Sequence, residues 1–162
     1  MSANKKSPRA KAEQFVQPVV EALTNVLHTM ASIEVTPGGH EIKESPRAKG
    51  SVSGIIPLRG KGLHGSLAVT FSKPAILAIY RRMVHEERDV LDEEVANLAG
   101  EITNMVAGGA NREFSDQGFE FEMATPFLLL GQNHAVHHDI KGTTVLIPFD
   151  SEVGGIFVEL CF

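Results

Sequence analysis

The run Asn97-Leu98-Ala99-Gly100-Glu101-Ile102-Thr103-Asn104-Met105-Val106 carries the residues best suited to chemistry. Successive residues of a helix turn by about 100°. On that wheel Asn97, Glu101, Asn104 and Gly108 share one narrow band, roughly 130° from the centre of a Leu/Val/Ile stripe. Glu101 and Asn104 are three apart, so their side chains adjoin. A carboxylate, which draws cations, and a carboxamide, which both donates and accepts hydrogen bonds, are thus predicted to project together into solvent. Gly100 and Gly108 beside them are expected to leave room for another protein's backbone. Each glycine costs a helix about 0.8–1.0 kcal/mol relative to alanine, so Gly100, in mid-helix, calls for a reason. Gly108-Gly109 reads equally well as the point where the helix ends. Spacing alone does not separate this pair from an ordinary solvated helix face.

Other candidates are weaker. His134, His137, His138 and Asp139 are close enough in the chain to share a metal. No Cys-x-x-Cys or His-Glu-x-x-His pattern accompanies them, and a solvated loop is the expected reading. His28 and His64 are read as structural. Cys161, the lone cysteine, sits among apolar residues and reads as a small buried hydrophobe. Gly60-Lys61-Gly62 lacks the rest of a phosphate-binding loop.

The elements that must position these residues follow from hydrophobic periodicity. Phe15, Val16, Val19, Val20, Leu23, Val26, Leu27 and Met30 predict an amphipathic helix from about Ala10 to Met30. Pro18 should bend it unless it lies in the first turn. A short β-prone stretch, 33–36, precedes the turn Pro37-Gly38-Gly39, and 40–49 reads as edge strand or loop. Runs 50–58 and 63–71 flank a Gly-rich connection and predict a hairpin. Ser72 caps a short helix to about Val84. A second long helix is predicted from Asp89 or Leu91 to Arg112, its stripe being Leu91, Val95, Leu98, Ile102, Met105 and Val106. Strands are expected at 119–124, 127–130, 143–149 and 155–162, the last as core strand or exposed edge. The fold class is therefore α+β, a mainly antiparallel sheet with two long helices. Residues 1–8 read as a flexible basic leader and 9–162 as a single domain. Ser-Pro-Arg-Ala-Lys occurs at 7–11 and again at 45–49, but the flanks differ and no structural repeat is inferred.

At 162 residues and 43% hydrophobic, the chain can bury a core without disulfide or metal. The net charge of −5 is more negative still once Lys5, Lys6, Arg9 and Lys11 are set aside. An acidic body argues against a nucleic-acid partner. No signal-peptide pattern opens the sequence, and its apolar runs are too short to span a bilayer. A cytoplasmic protein is expected.

The pattern around Glu101 resembles the CheC/CheX/FliY phosphatases, and the chain is similar to the CheX branch. That family carries Asp or Ser, three residues, Glu, two residues, Asn, twenty-two residues and then Pro. Glu101 and Asn104 match, Pro126 follows after twenty-one residues, one short of the family spacing, and Asn97 departs from Asp or Ser. The opening helix, Ile33-Glu34-Val35 and Pro37-Gly38 also resemble CheX-type domains. CheC has two Glu-x-x-Asn helices. Here the first helix offers only Glu21 and Thr24, which implies one site.

The resemblance implies a phosphatase acting on the aspartyl phosphate of a CheY-like response regulator. Asn104 would orient the attacking water, Glu101 would pair with the regulator's lysine, and Pro126 would shape the chain beneath the helix. No cofactor of the chain's own is implied; Mg2+ belongs to the partner. A homodimer formed through the sheets is implied as well. Two other readings stay open. One is a non-catalytic module that binds a response regulator or signalling complex. The other is a small-molecule sensor, which would need a deep apolar pocket away from Glu101 and Asn104.

Overall fold

The computed structural model describes residues 12–162; the leader predicted over 1–8 and the first residues of the predicted opening helix lie outside them. The element order is α1 (Val16–Ala31), β1 (Val35–Pro37), β2 (Glu41–Lys43), β3 (Val52–Arg59), β4 (His64–Phe71), α2 (Lys73–Val84), α3 (Glu93–Asp116), β5 (Glu122–Met123), β6 (Phe127–Leu130), β7 (Thr144–Ser151) and β8 (Ile156–Cys161). The strands form one eight-stranded sheet along the path β1-β7-β8-β4-β3-β5, with β2 also on β7 and β6 also on β3. Every pairing among the described strands is antiparallel. The fold is therefore α+β, as the alternation of hydrophobic periods implied.

Helices α1, α2 and α3 lie on one face of the sheet. Side chains alternate across a strand, so Leu67, Val69 and Phe71 of β4 enter the main core with Leu23, Leu27, Ile76, Ile102 and Val106 from the helices. Ala68 turns the other way, into a small second cluster with Ala48, Ile55 and Val136. The connection between β6 and β7 supplies Val136 and so covers part of the outer face. Because both faces are covered there, β4 is buried along almost its whole length.

Several expectations are met in detail. The β3–β4 hairpin closes through Gly60 to Leu63, and Gly62 takes a φ of +75° that a side chain would disfavour. Ser72 caps α2 by accepting from the Ala75 N–H at 3.3 Å. Pro18 stands in the first turn of α1, just after a break at Phe15 that separates α1 from a helical turn at 12–14. The 155–162 run is a core strand, since β8 lies between β7 and β4.

Several boundaries differ. The helix carrying Glu101 starts later and ends later than its periodicity indicated. Asp92 accepts from the Val95 N–H at 3.0 Å and sets the start at Glu93. The helix then runs through Gly108-Gly109 instead of ending there. Gly109 packs where an added Cβ would meet Ala22 of α1 at 3.3 Å. Beyond it Phe114 sits in an aromatic cluster with Phe15 and Phe121, with Phe119 and Phe162 also against Phe15. Tertiary packing thus carries the helix past its glycines. The same cluster draws Phe119 and Phe121 away from the sheet edge, and the strand predicted over 119–124 shortens to Glu122–Met123.

Candidate functional site

Asn97, Glu101 and Asn104 are all exposed on α3, while Val95, Leu98, Ile102 and Val106 are buried on its opposite side. The predicted stripe is thus buried at those four positions; Met105 and Leu91 are only half-buried. Among the described residues, neither Glu101 nor Asn104 has a hydrogen bond or ion pair within the chain. The carboxylate keeps its acceptors, and the amide keeps its donors and its acceptor, for something outside the molecule.

Three features hold the helix that presents them. Asp92 caps its first turn, where Glu93 and Glu94 meet the positive end of the helix dipole. Arg88 bonds Glu94 at 2.8 Å, and the Tyr80 hydroxyl donates to the same carboxylate at 3.0 Å. The hydrogen bond from Arg88, then that from Tyr80, holds the Glu94 carboxyl below the usual range. This clamp ties α2 to the start of α3. Along its inner side α3 packs on β3, β4 and β6.

The role expected for the glycines changes. Gly100 was expected to admit a partner's backbone, yet it is buried, and a Cβ there would lie 2.9 Å from Leu128 Cδ2 of β6. Its missing side chain admits this protein's own sheet. Gly108 is half-buried, with Met123 Cε 3.9 Å from where a Cβ would stand. Pro126 is half-buried immediately before β6, two residues ahead of Leu128. It therefore helps set the chain that packs against Gly100.

The first helix offers no second copy of the pair. Thr24 Oγ1 donates to the Val20 carbonyl at 2.8 Å, and Glu21 accepts from Gln17 Nε2 at 3.1 Å. A hydrogen bond shared with Glu21 raises the Glu113 carboxyl of α3.

The histidine cluster is split between separate structural tasks. His134 donates from Nδ1 to the Gly131 carbonyl at 2.7 Å, leaving Nε2 to accept from the Ser53 hydroxyl at 2.7 Å. The His138 side chain is 5% exposed; its Nε2 donates to Glu159 Oε1 at 3.1 Å and its Nδ1 meets Ser66 Oγ at 2.7 Å. Glu159 also pairs with Lys43. Among the described residues no group of three or more His, Cys, Asp or Glu is placed to hold a metal. Sequence reasoning missed this Lys43–Glu159–His138 chain. The one signal for it was Glu159, alone among apolar neighbours in the last strand. Cys161 is buried, and burial pushes its thiol up, away from nucleophilic use.

The outer face of the sheet also bears an apolar groove of about 740 Å³, lined by Ile55, Pro57, Phe127, Leu129 and Ile140. It lies across the sheet from the helices, which is where the sensor reading would put its ligand, but it is open along one side. No helix among the described residues is long and apolar enough to cross a membrane.

An eight-stranded antiparallel sheet with the described helices on one face matches the CheC-like class of fold. A sequence profile of the family described as "Chemotaxis phosphatase CheX" matches residues 52–150, and the chain belongs to that family. A CheC-like superfamily protein from Shewanella sp. PV-4 is 44% identical, with a TM-score of 0.85 over 91% of this chain and 96% of its own. Chemotaxis protein CheX from Vibrio vulnificus is 42% identical, with a TM-score of 0.85 over 91% of this chain and 98% of its own. The CheX–CheY–BeF3–Mg2+ complex from Borrelia burgdorferi matches at 25% identity and a TM-score of 0.75, covering 91% of this chain and 96% of that one. No curated protein sequence matches the chain.

Proposed function

We propose that this chain acts in the cytoplasm as a phosphatase for a CheY-like response regulator, through Asn104 and Glu101. The observation that carries the reading is the exposed and internally unpartnered state of both side chains on one band of α3. Family membership supports it, as does the similarity to a CheX found in complex with CheY.

Hydrolysis of an aspartyl phosphate asks little covalent chemistry of the phosphatase. Positioning and charge neutralisation dominate phosphoryl transfer. The regulator brings Mg2+ and a lysine to its own phosphate, so an ordered nucleophile is what this chain adds. The Asn104 carboxamide accepts a hydrogen bond from a water and donates one back toward the phosphoryl oxygens. The water oxygen then attacks phosphorus in line, the P–O bond to the aspartate breaks, and inorganic phosphate and a free carboxylate remain. Glu101 forms a charge-assisted bond with the regulator's lysine and fixes the docking register. Orientation of this kind is a recognised source of rate.

Replacing Asn104 with Ala is expected to return phosphate release from an acyl-phosphate-treated regulator to its spontaneous rate. Binding to the beryllofluoride-loaded regulator should persist. Unchanged hydrolysis by Asn104→Ala defeats the mechanism. Binding with no acceleration by the native chain identifies a non-catalytic module instead.

We also infer a homodimer joined through a sheet edge. β8 is interior, which leaves two edges, β1 with β2 and β5 with β6, and the second is the more apolar. Among the described strands β5 and β6 pair only with β3, and Phe127 and Leu130 are 61% and 49% exposed. Light scattering reporting a monomer at micromolar concentration would count against it.

A further inference from the structure

Gly54 of β3 and Leu128 of β6 stand directly opposite each other in their ladder. Above them on α3 are Gly100 and Thr103, three apart and so neighbours on one helix face. The sizes are crossed: the helix glycine receives the sheet leucine, and the sheet glycine receives the helix threonine. A Cβ on Gly54 would lie 2.3 Å from Thr103 Oγ1 and 2.9 Å from Thr103 Cβ. A Cβ on Gly100 would lie 2.9 Å from Leu128 Cδ2. Thr103 is fully buried, and its hydroxyl donates to the Ala99 carbonyl at 2.8 Å. A β-branched side chain in a helix has few rotamers to retreat into, and no rotamer moves its Cβ.

Each of these two contacts falls one residue before a member of the exposed pair: Gly100 before Glu101, and Thr103 before Asn104. One helical step is about 100°, so seating residues 100 and 103 on the sheet turns 101 and 104 outward. We propose that Gly54 and Gly100 are positioning residues for dephosphorylation. Together they fix the depth and the rotation of α3, and hence where the Asn104 amide holds water. The proposal rests on the phosphatase reading. It adds that the geometry of the exposed pair is set by two side chains that are missing beneath it.

The two glycines differ in what a methyl would displace. At Gly54 it meets the helix at Thr103 Cβ, so α3 itself must lift. At Gly100 it meets the far end of a leucine, which can yield. Misplacement by about 1 Å can cost about 10²-fold in rate. Gly54→Ala is therefore expected to lower kcat about 10²-fold, and Gly100→Ala by less. Affinity for the beryllofluoride-loaded regulator should change far less than kcat, because a long Glu101 side chain tolerates a small shift.

The test measures kcat and that affinity for the native chain, Asn104→Ala, Gly54→Ala and Gly100→Ala, with folding checked by circular dichroism. It also includes two rescue pairs, Gly54→Ala with Thr103→Gly and Gly100→Ala with Leu128→Ala. Recovery of kcat in the rescue pairs supports positioning, since general loss of stability would deepen with a second truncation. A folded Gly54→Ala with native kcat, or a loss that neither rescue relieves, overturns it. Should Gly54→Ala fail to fold, the Gly100 pair decides by the same criteria. A native chain with no Asn104-dependent hydrolysis sinks the phosphatase reading and this inference with it, an outcome distinct from a neutral glycine substitution.

Discussion

Lys43 Nζ and Glu159 Oε2 form an ion pair at 2.8 Å, their side chains only 6% and 2% exposed. They lie 116 residues apart in the chain, and His138 Nε2 donates to the other oxygen of the same carboxylate. Ser66 extends the chain of contacts to β4. The outer face is thus held in part by a buried polar network, where the inner face is held by apolar packing.

Removing one member of such a pair leaves the other charge buried without a partner. Glu159→Ala is expected to destabilise the fold by about 3–5 kcal/mol, read as a lowered urea midpoint. A loss smaller than about 1 kcal/mol, the scale of an exposed pair, would show that Lys43 finds solvent.

Glu101 is the contrasting case, an exposed carboxylate with no partner in its own chain. Glu101→Gln should leave the melting temperature unmoved, because surface substitutions away from such networks fall within about ±0.5 kcal/mol. Its cost should fall on regulator binding instead. Loss of one charge-assisted bond, about 2 kcal/mol, corresponds to roughly thirtyfold in Kd by calorimetry. Unaltered binding would remove Glu101 from the docking surface.

The clamp between Arg88, Glu94 and Tyr80 predicts a pH dependence. Hydrogen bonds from Arg88 and then Tyr80 lower the Glu94 carboxyl in the folded chain. The unfolded chain then binds that proton more readily. The clamp's contribution is complete above the ordinary glutamate range and fades as pH falls through the lowered folded value. Arg88→Met should flatten the acid limb of a melting-temperature profile between about pH 6 and pH 3. The difference should shrink in high salt, since the Glu94 side chain is 67% exposed. A variant and native chain with parallel acid limbs would exclude this linkage.

How much of this was legible beforehand divides along the range of the forces involved. The band of Asn97, Glu101 and Asn104 opposite Val95, Leu98, Ile102 and Val106 follows from helical period alone, a relation within one stretch of chain. The β3–β4 hairpin and the Ser72 cap are local in the same way. The end of α3 was only partly legible: periodicity carries the helix past Gly108-Gly109 to Arg112, and its continuation to Asp116 depends on the phenylalanine cluster around Phe114. The histidine cluster reads as a solvated loop in the sequence for the same reason: Ser53, Ser66 and Glu159, which bond His134 and His138, lie far off along the chain.

The sequence by itself determined that an acid and an amide would face outward from a long helix above an antiparallel sheet, since side-chain period and hydrophobic spacing are properties of neighbouring residues. Only the tertiary structure decided what Gly100 is for. Leu128 fills the space above it and Thr103 fills the space above Gly54, contacts between segments that meet only once the chain has folded. Shape complementarity of that kind depends on register and distance in space, and neither is written in the order of residues along α3.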